Sequence, residues 1–294
     1  MFDVPAVGTM AHSWIQLFGD EYEAFKAWAK AYPDNCTFLI DTYNVLKSGI
    51  PNSIRVFDEV LKPLGYRPKG IRIDSGDITY LTKKCRKMLD AAGYEDCKII
   101  VSNSLDEHII RDVLSQGAEV DSFGVGERLI TAKSEPVFGG VYKLVAVEDE
   151  PGQIAPRIKL SENQEKITNP GFKKIYRFFD KVTNSALADL IALDGEALDF
   201  NEDIEVFDPI HVWKRKTLTN YYVRELQVPI FVNGKAVYES PCVMDIRDFA
   251  MEESEKLWPE TLRFENPHTY YVDLSNGLWN LKQHLLHKYS TIYK

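Results

Sequence analysis

The fold is decided at Ile71-Arg72-Ile73-Asp74-Ser75-Gly76-Asp77, where a short apolar strand runs directly into two carboxylates, a hydroxyl and a glycine. A glycine in such a turn lets backbone N–H groups approach an anion closely, and the acids can bind Mg²⁺ or sugar hydroxyls. This is chemistry suited to a phosphorylated sugar and its metal. The alternative is a simple helix N-cap, since Ser or Asp is preferred before a helix such as the one expected from Ile78.

Similar junctions recur along the first half of the chain. Apolar runs at 38–40, 98–101 and 120–123 each end in polar or glycine residues. Between them lie amphipathic segments such as residues 80–92, where the apolar side chains share one helical face. Repeated βα units predict a parallel sheet, and in a (β/α) barrel the loops after the strands build the active site.

Composition narrows the class of protein. With 294 residues and 45% hydrophobic content, the chain can bury a large core in one large or two unequal domains. The net charge of −9 argues against broad nucleic-acid binding, because no basic stripe is present. The chain has no apolar run of membrane-spanning length, and its first residues do not resemble a signal peptide, so we expect a cytoplasmic protein that binds no membrane.

The second half of the chain differs in pattern from the first. We expect a barrel portion over 1–147 and a C-terminal part over 148–294 that completes the barrel and forms a second α/β domain. Short strands are predicted at 157–160, 174–179 and 188–192, and helices at 246–258 and 278–287. The four cysteines lack zinc-like or CxxC spacing, so we expect reduced thiols and no structural metal.

A histidine stands at a probable turn before an amphipathic helix, in Gly8-Thr9-Met10-Ala11-His12-Ser13-Trp14. The positive end of the helix dipole favours neutral imidazole and stabilises an anion beside it, so His12 could accept a phosphoryl group. A lone histidine is more often a cap or a structural residue, and context must decide.

That heptapeptide resembles the signature of nicotinate phosphoribosyltransferases, whose GTxAHS histidine is phosphorylated by ATP. Further segments resemble blocks of the same family in the same order, and the C-terminal region is similar as well. These segments are Ile40-Asp41-Thr42-Tyr43, residues 72–77, residues 102–107, residues 121–126, Lys159-Leu160-Ser161 and residues 166–171.

The resemblance implies a type II phosphoribosyltransferase fold, an irregular α/β barrel joined to a second α/β domain. The implied reaction joins nicotinate to 5-phosphoribosyl 1-pyrophosphate (PRPP), giving nicotinate mononucleotide and pyrophosphate in NAD salvage. ATP hydrolysis would be coupled through a phosphohistidine at His12, with Mg²⁺ as the implied metal. A homodimer is also implied, because the family completes its active sites across subunits.

The residue types suit this chemistry. Asp41 and Asp74 are candidate catalytic residues and metal ligands, since carboxylates stabilise an oxocarbenium-like state. Arg72 offers a planar fork for a phosphate or for the nicotinate carboxylate. Gly124 and Gly126 would present backbone N–H groups to a 5′-phosphate. The remaining candidate substrate-binding residues are Ser75, Gly76, Ser102 and Asn103.

Two features depart from the family. Its members usually carry more than a hundred residues before the histidine motif, so we expect the isolated chain to have little activity, as a fragment or as half of a split enzyme with an N-terminal partner chain. Glu127 also stands where many relatives have Thr.

Three different functions stay compatible with the sequence. A related enzyme that uses quinolinate or nicotinamide would share the barrel and the PRPP site, and a quinolinate enzyme would need no phosphohistidine. A non-catalytic subunit would complete a split enzyme. An unrelated barrel aldolase or isomerase would need a Schiff-base lysine or a general base at a strand end, and no convincing candidate is evident.

Overall fold

The computed structural model describes residues 7–137, 139–163 and 166–292 of the chain. These residues form two compact units, which divide between Gly140 and Val141. We call them the N-terminal and the C-terminal unit. The boundary between the two units lies a few residues before position 147, where the sequence analysis placed the end of the barrel portion.

The N-terminal unit alternates strands and helices. Its strands are β1 (Thr37–Leu39), β2 (Gly70–Ile73), β3 (Lys98–Val101) and β4 (Ser122–Phe123). Its helices are α1 (His12–Phe18), α2 (Glu21–Ala31), α3 (Ile50–Val56), α4 (Ile78–Ala91), α5 (Glu107–Ser115) and α6 (Glu127–Ile130). Short π-helical turns, Val45–Gly49 and Phe57–Leu61, flank α3.

The four strands form one parallel sheet in the order β1-β2-β3-β4. Sequential order with a helix after each strand is the arrangement found along part of a (β/α) barrel. Within the described residues the sheet is open, with β1 and β4 at its edges. The α/β class and the predicted βα repetition are therefore confirmed.

The core of this unit explains why the strands are so apolar. Phe38 of β1 stacks between two other buried rings, with centroids 4.5 Å from Phe25 and 5.3 Å from Phe57. Helix α4 packs here through Cys85 and Leu89, which confirms the apolar face predicted for residues 80–92. Each fully buried aromatic ring of this kind contributes about 2 to 3 kcal/mol.

Helix starts in this unit are set by aspartates. The carboxylates of Asp20, Asp77 and Asp106 accept the backbone N–H groups three residues ahead, at 2.9 to 3.0 Å. Such caps satisfy donors that a helix leaves unpaired at its first turn. They fix where α2, α4 and α5 begin, and so how long the loops before them are.

The C-terminal unit is mostly β-structure. Its strands are β5 (Ala146–Glu150), β6 (Gln153–Pro156), β7 (Lys173–Asp180), β8 (Ala186–Leu193), β9 (Ile204–Phe207), β10 (Arg215–Leu218), β11 (Tyr221–Glu225), β12 (Phe231–Val232), β13 (Lys235–Ala236) and β14 (Val272–Leu274). Its helices are α7 (Val243–Glu255) and α8 (Asn276–Ile292).

A four-stranded sheet in the order β11-β7-β8-β14 forms the centre of this unit, with only the β8–β14 pair parallel. The predicted strands near 174–179 and 188–192 and the two predicted helices are confirmed. The strand predicted at 157–160 is wrong. The hairpin β5–β6 instead ends at Pro156, and of the four residues predicted as a strand only Arg157 continues the pairing, its N–H donating to the Val145 carbonyl at 2.8 Å.

Along the described ranges, no helix combines the length and the apolar composition that crossing a bilayer requires.

Candidate active site

Polar groups converge where the parallel strands of the N-terminal unit end. Asp41 follows β1 after one intervening residue, and Asp74, Ser102 and Gly124 directly follow β2, β3 and β4. The carboxyl ends of parallel strands lie at one edge of a sheet, which is where α/β proteins bind ligands. Asp41, Asp74, Ser102 and Gly124, all predicted from the sequence, therefore lie at the same edge of the sheet.

Asp41 is the buried centre of this group. Its side chain is 2% exposed, and its Oδ2 accepts the Asp74 N–H at 2.9 Å and the Ser75 hydroxyl at 2.6 Å. Its Oδ1 is buried and accepts no hydrogen bond from the described residues. A buried carboxylate oxygen without a donor is costly, so this atom marks a position where a ligand or cation would be stabilised.

His12 is the first residue of α1, as the turn in the sequence predicted. Its Nδ1 lies 3.0 Å from the Thr42 hydroxyl. Its Nε2 lies 3.8 Å from Asp41 Oδ1 and 3.8 Å from Asp74 Oδ2. The imidazole is 39% exposed, so it is oriented by the protein on one side and accessible to a ligand on another.

Arg72 projects from β2 into the same group. Its Nε donates to Ser102 Oγ at 2.7 Å, and one terminal nitrogen donates to Thr9 Oγ1 at 3.0 Å. The other lies 3.3 Å from Asp74 Oδ1. These contacts use three of the five N–H donors of a guanidinium. Arg72 is 28% exposed, which leaves part of its fork open to an anion.

Asp74 is held ionised by its neighbours. Burial alone would raise the pKa of Asp74, but the Ser102 hydrogen bond and the Arg72 charge together outweigh burial and lower it. The Ser102 hydroxyl donates to Asp74 Oδ1 at 2.5 Å while it accepts from Arg72. Ser102 therefore links the cation to the anion.

The turn after β2 contains both features that its sequence suggested, a helix N-cap and carboxylate and hydroxyl groups that could bind a ligand. Asp77 is the N-cap of α4, whereas Asp74 and Ser75 belong to the group around Asp41. Gly76 has a φ of +87°, a backbone conformation that favours glycine. A capping aspartate and a ligand-facing aspartate thus stand three positions apart.

The two glycines after β4 differ from each other. The Gly124 N–H donates to the Val101 carbonyl at 2.7 Å, so the expectation that Gly124 offers a free N–H is wrong. Its lack of a side chain matters instead, because an added Cβ would lie 3.3 Å from Ser102 Cβ. At Gly126, an added Cβ would meet no described atom within 4 Å, so a ligand has room there.

Asn103 stays outside the hydrogen-bonded group. Its side chain accepts the N–H of Ser104, and its φ is +116°, an unusual backbone conformation for a residue other than glycine. Glu127 is exposed at the first position of α6. In the described part of the chain, neither residue makes a hydrogen bond or an ion pair with His12, Asp41, Asp74 or Arg72.

Two hydroxyls were missed as individual site residues. Thr9 and Thr42 lie within the motifs quoted above, but sequence alone assigns them no role. Thr42 contacts the His12 ring through its hydroxyl, and the Thr9 hydroxyl accepts a hydrogen bond from the Arg72 guanidinium. The only sequence signal for them is position, since Thr42 directly follows Asp41 and Thr9 lies three residues before His12.

The geometry permits a metal only together with a ligand. Among the described residues, no three His, Cys, Asp or Glu side chains are arranged to hold a metal ion. Asp41 Oδ1 and Asp74 Oδ2 nevertheless face the same His12 nitrogen, and no described group donates a hydrogen bond to either atom. Mg²⁺ is usually bound by one or two carboxylates plus substrate phosphates, so this pair fits it.

The chain is similar to proteins of one family over nearly all of its length. Residues 172–282 match the nicotinate phosphoribosyltransferase C-terminal domain. The chain is 43% identical over 287 residues to nicotinate phosphoribosyltransferase of Bacillus subtilis, covering 98% of this chain and 58% of that protein. It is 34% identical to the human protein of that name, covering 88% of this chain and 48% of the relative.

A solved structure agrees with the sequence comparisons. The crystal structure of human nicotinic acid phosphoribosyltransferase matches with a TM-score of 0.67 and 28% identity, covering 97% of this chain and 56% of the human one. The chain spans about half the length of the relatives that it matches. In sequence and in fold, the chain is therefore similar to the nicotinate phosphoribosyltransferases, and residues 172–282 match the C-terminal domain of that family.

Proposed function

We propose that this chain carries the phosphohistidine site of a nicotinate phosphoribosyltransferase, which joins nicotinate to PRPP and couples that step to ATP hydrolysis. One observation carries the proposal: the accessible His12 imidazole lies 3.8 Å from two carboxylates at the strand ends, beside an arginine fork. The names of the relatives support the same activity.

His12 would act as the phosphoryl acceptor. An unprotonated ring nitrogen attacks the γ-phosphorus of ATP, the bond to the ADP oxygen breaks, and the ring becomes cationic. Asp41 and Asp74 are placed to stabilise that cation, and Thr42 holds the ring plane while the bond forms. Water later displaces the phosphoryl group and restores the neutral ring.

The same carboxylates serve the ribosyl transfer. The pyridine nitrogen of nicotinate bonds to C1 of PRPP as pyrophosphate leaves, and positive charge develops on the ribose. The unpaired Oδ1 of Asp41 and the ionised Asp74 are placed to stabilise that charge. Mg²⁺, when bound, would offset the negative charge of the phosphates next to these carboxylates.

Arg72 would supply anion recognition. Thr9, Ser102 and Asp74 fix its guanidinium, and its two remaining N–H donors can pair with the carboxylate of nicotinate or with a phosphate oxygen. Because the fork is already held, little side-chain entropy is lost on binding. Gly126, where an added Cβ would meet no described atom within 4 Å, leaves space for a phosphate after β4.

Labelling tests the proposal. The purified chain is incubated with [γ-³²P]ATP and a magnesium salt, and acid-labile, base-stable label is measured on the protein. His12→Ala should abolish the label, whereas His284→Ala, which removes an exposed imidazole from α8, should keep it. Absence of label on the folded chain, or label that persists in His12→Ala, would contradict the phosphohistidine.

Substrate choice needs a second measurement. Pyrophosphate release from PRPP is compared with nicotinate, nicotinamide and quinolinate as the base. Release that depends on nicotinate and is stimulated by ATP supports the proposed reaction. Release with quinolinate and no effect of ATP would favour the related enzyme that needs no phosphohistidine.

A further inference from the structure

A cavity lies in the C-terminal unit, formed by the β9–β10 hairpin and the residues around β14. Its volume is about 290 Å³. The residues that give it chemical character are Asp208, Lys214, Arg215, Lys216, Tyr271 and Asp273. None of them belongs to the group around His12.

The carboxyl group of Asp273 is the unusual feature of this cavity. Asp273 is 5% exposed and no described residue donates a hydrogen bond to its carboxyl group, but its oxygens, unlike Asp41 Oδ1, are not completely buried. Burial raises the pKa of Asp273 to about 6, and the charge of Asp208 adds to that effect. Because no protein group donates to this carboxyl, a water molecule or a ligand that enters the cavity can supply the donor.

Asp208 cannot be the group that needs a ligand. Its carboxylate accepts the N–H groups of Ile210 and His211 at 2.8 Å, and it lies 3.2 Å from His211 Nδ1. These bonds hold the loop between β9 and β10 in place. The cavity therefore presents one satisfied and one unsatisfied acid.

The cavity is also lined by three basic residues, Lys214, Arg215 and Lys216. Arg215 pairs with Glu205 across the hairpin, so its charge is used within the protein. Lys214 and Lys216 make no ion pair with the described residues. The Lys216 ammonium lies 5.5 Å from the ring of Trp258 and 5.9 Å from that of Tyr271. Two cations beside an aromatic wall favour an anionic ligand with a flat ring.

We propose that this cavity binds a nucleoside phosphate, with an N–H of the base donating to Asp273 and the phosphate between Lys214 and Lys216. The ring of Tyr271 would pack against the base. An aliphatic amino acid would satisfy the charges but would leave the aromatic side chains without a partner, whereas a nucleoside phosphate satisfies all three features. The site would sense nucleotides separately from the proposed ATP site at His12.

Calorimetric titration of the full chain with AMP tests this proposal. AMP should bind the wild-type chain, and Asp273→Leu should weaken its affinity at least 10-fold. The Lys214→Ala/Lys216→Ala double variant should have a similar effect, and it changes only exposed side chains. Circular dichroism checks that both variants are folded. Adenosine, which lacks the phosphate, should bind the wild-type chain at least 10-fold more weakly than AMP.

The His12→Ala variant separates this site from the proposed active site. AMP affinity that is unchanged in His12→Ala and weakened in the cavity variants supports the second site. Failure of the wild-type chain to bind millimolar AMP would overturn the proposal. AMP binding that is lost in His12→Ala and kept in both cavity variants would overturn it as well, while leaving the proposed function intact.

Discussion

The buried carboxylate of Asp41 accepts the backbone N–H of Asp74 at 2.9 Å. This bond ties the loop after β1 to the end of β2, so the two acids keep a fixed separation without a metal between them. The other oxygen of the Asp41 carboxylate, Oδ1, faces His12 and receives no hydrogen bond from the described residues. Asp41 therefore combines a structural bond and a free charge in one side chain.

Asp41→Asn separates these two roles. The amide keeps an oxygen that can accept from Asp74 and Ser75, but the negative charge beside His12 is lost. We expect the free energy of unfolding to change by no more than about 1 kcal/mol and the rate of phosphoryl labelling to fall roughly 100-fold. Urea denaturation and a labelling time course measure the two quantities.

Asp34→Asn is the matched control for this variant, because Asp34 is exposed in the same unit. It should change neither quantity. Equal labelling rates in Asp41→Asn and wild type would show that the charge of Asp41 is not used in this step.

Ser102→Ala should disconnect Arg72 from Asp74. The Ser102 hydroxyl donates to Asp74 and accepts from Arg72, and both bonds are lost when it is removed. We expect the N-terminal unit to lose about 1 to 3 kcal/mol of stability, seen as faster hydrogen exchange of the β2 and β3 amides. Ser104→Ala, in the same loop and exposed, should leave exchange unchanged.

The sequence pattern predicts those site residues that stand at the ends of strands. Short apolar runs with polar exits place Asp41, Asp74 and Ser102 at one edge of a parallel sheet, and the structure brings them together. A motif histidine at a helix start completes the group. These features depend on local periodicity, which sequence displays directly.

Other contacts depend on distances through space and have no local pattern. Thr42 contacts His12 across 30 positions, and Thr9 contacts Arg72 across 63. The bond that occupies the Gly124 N–H depends on the register of β3 and β4. Periodicity indicates which face of an element a side chain lies on, but not which residue of a distant segment it contacts, so these contacts could not be predicted from sequence alone.

Gly49 lies against the backbone of Ile40, another contact between distant positions that has no local sequence pattern. An added Cβ at Gly49 would lie 2.0 Å from the carbonyl oxygen of Ile40, the residue before Asp41. Gly49→Ala must therefore displace backbone, and we expect a loss of about 3 kcal/mol or more. Hydrogen exchange of the β1 amides would report it. Gly8→Ala, which meets no described atom within 4 Å, should be tolerated.

Asp273 should make the stability of the C-terminal unit depend on pH. Its pKa rises from 3.8 to about 6 on folding, so the folded state holds this proton more tightly than the unfolded state. The free energy of unfolding should therefore fall as the pH rises from about 4 to about 6 and stay reduced above that. At about 1.4 kcal/mol for each pKa unit, the loss is about 3 kcal/mol.

Asp273→Asn removes that titration, because the amide stays neutral at every pH. We expect this variant to be more stable than wild type by up to about 3 kcal/mol at pH 7.5, with the difference shrinking towards pH 4. Urea denaturation at a series of pH values measures it, and exposed Asp203→Asn should follow the wild-type curve. A constant offset between Asp273→Asn and wild type at all pH values would mean that the carboxyl group titrates normally, with a further donor holding its ionised form.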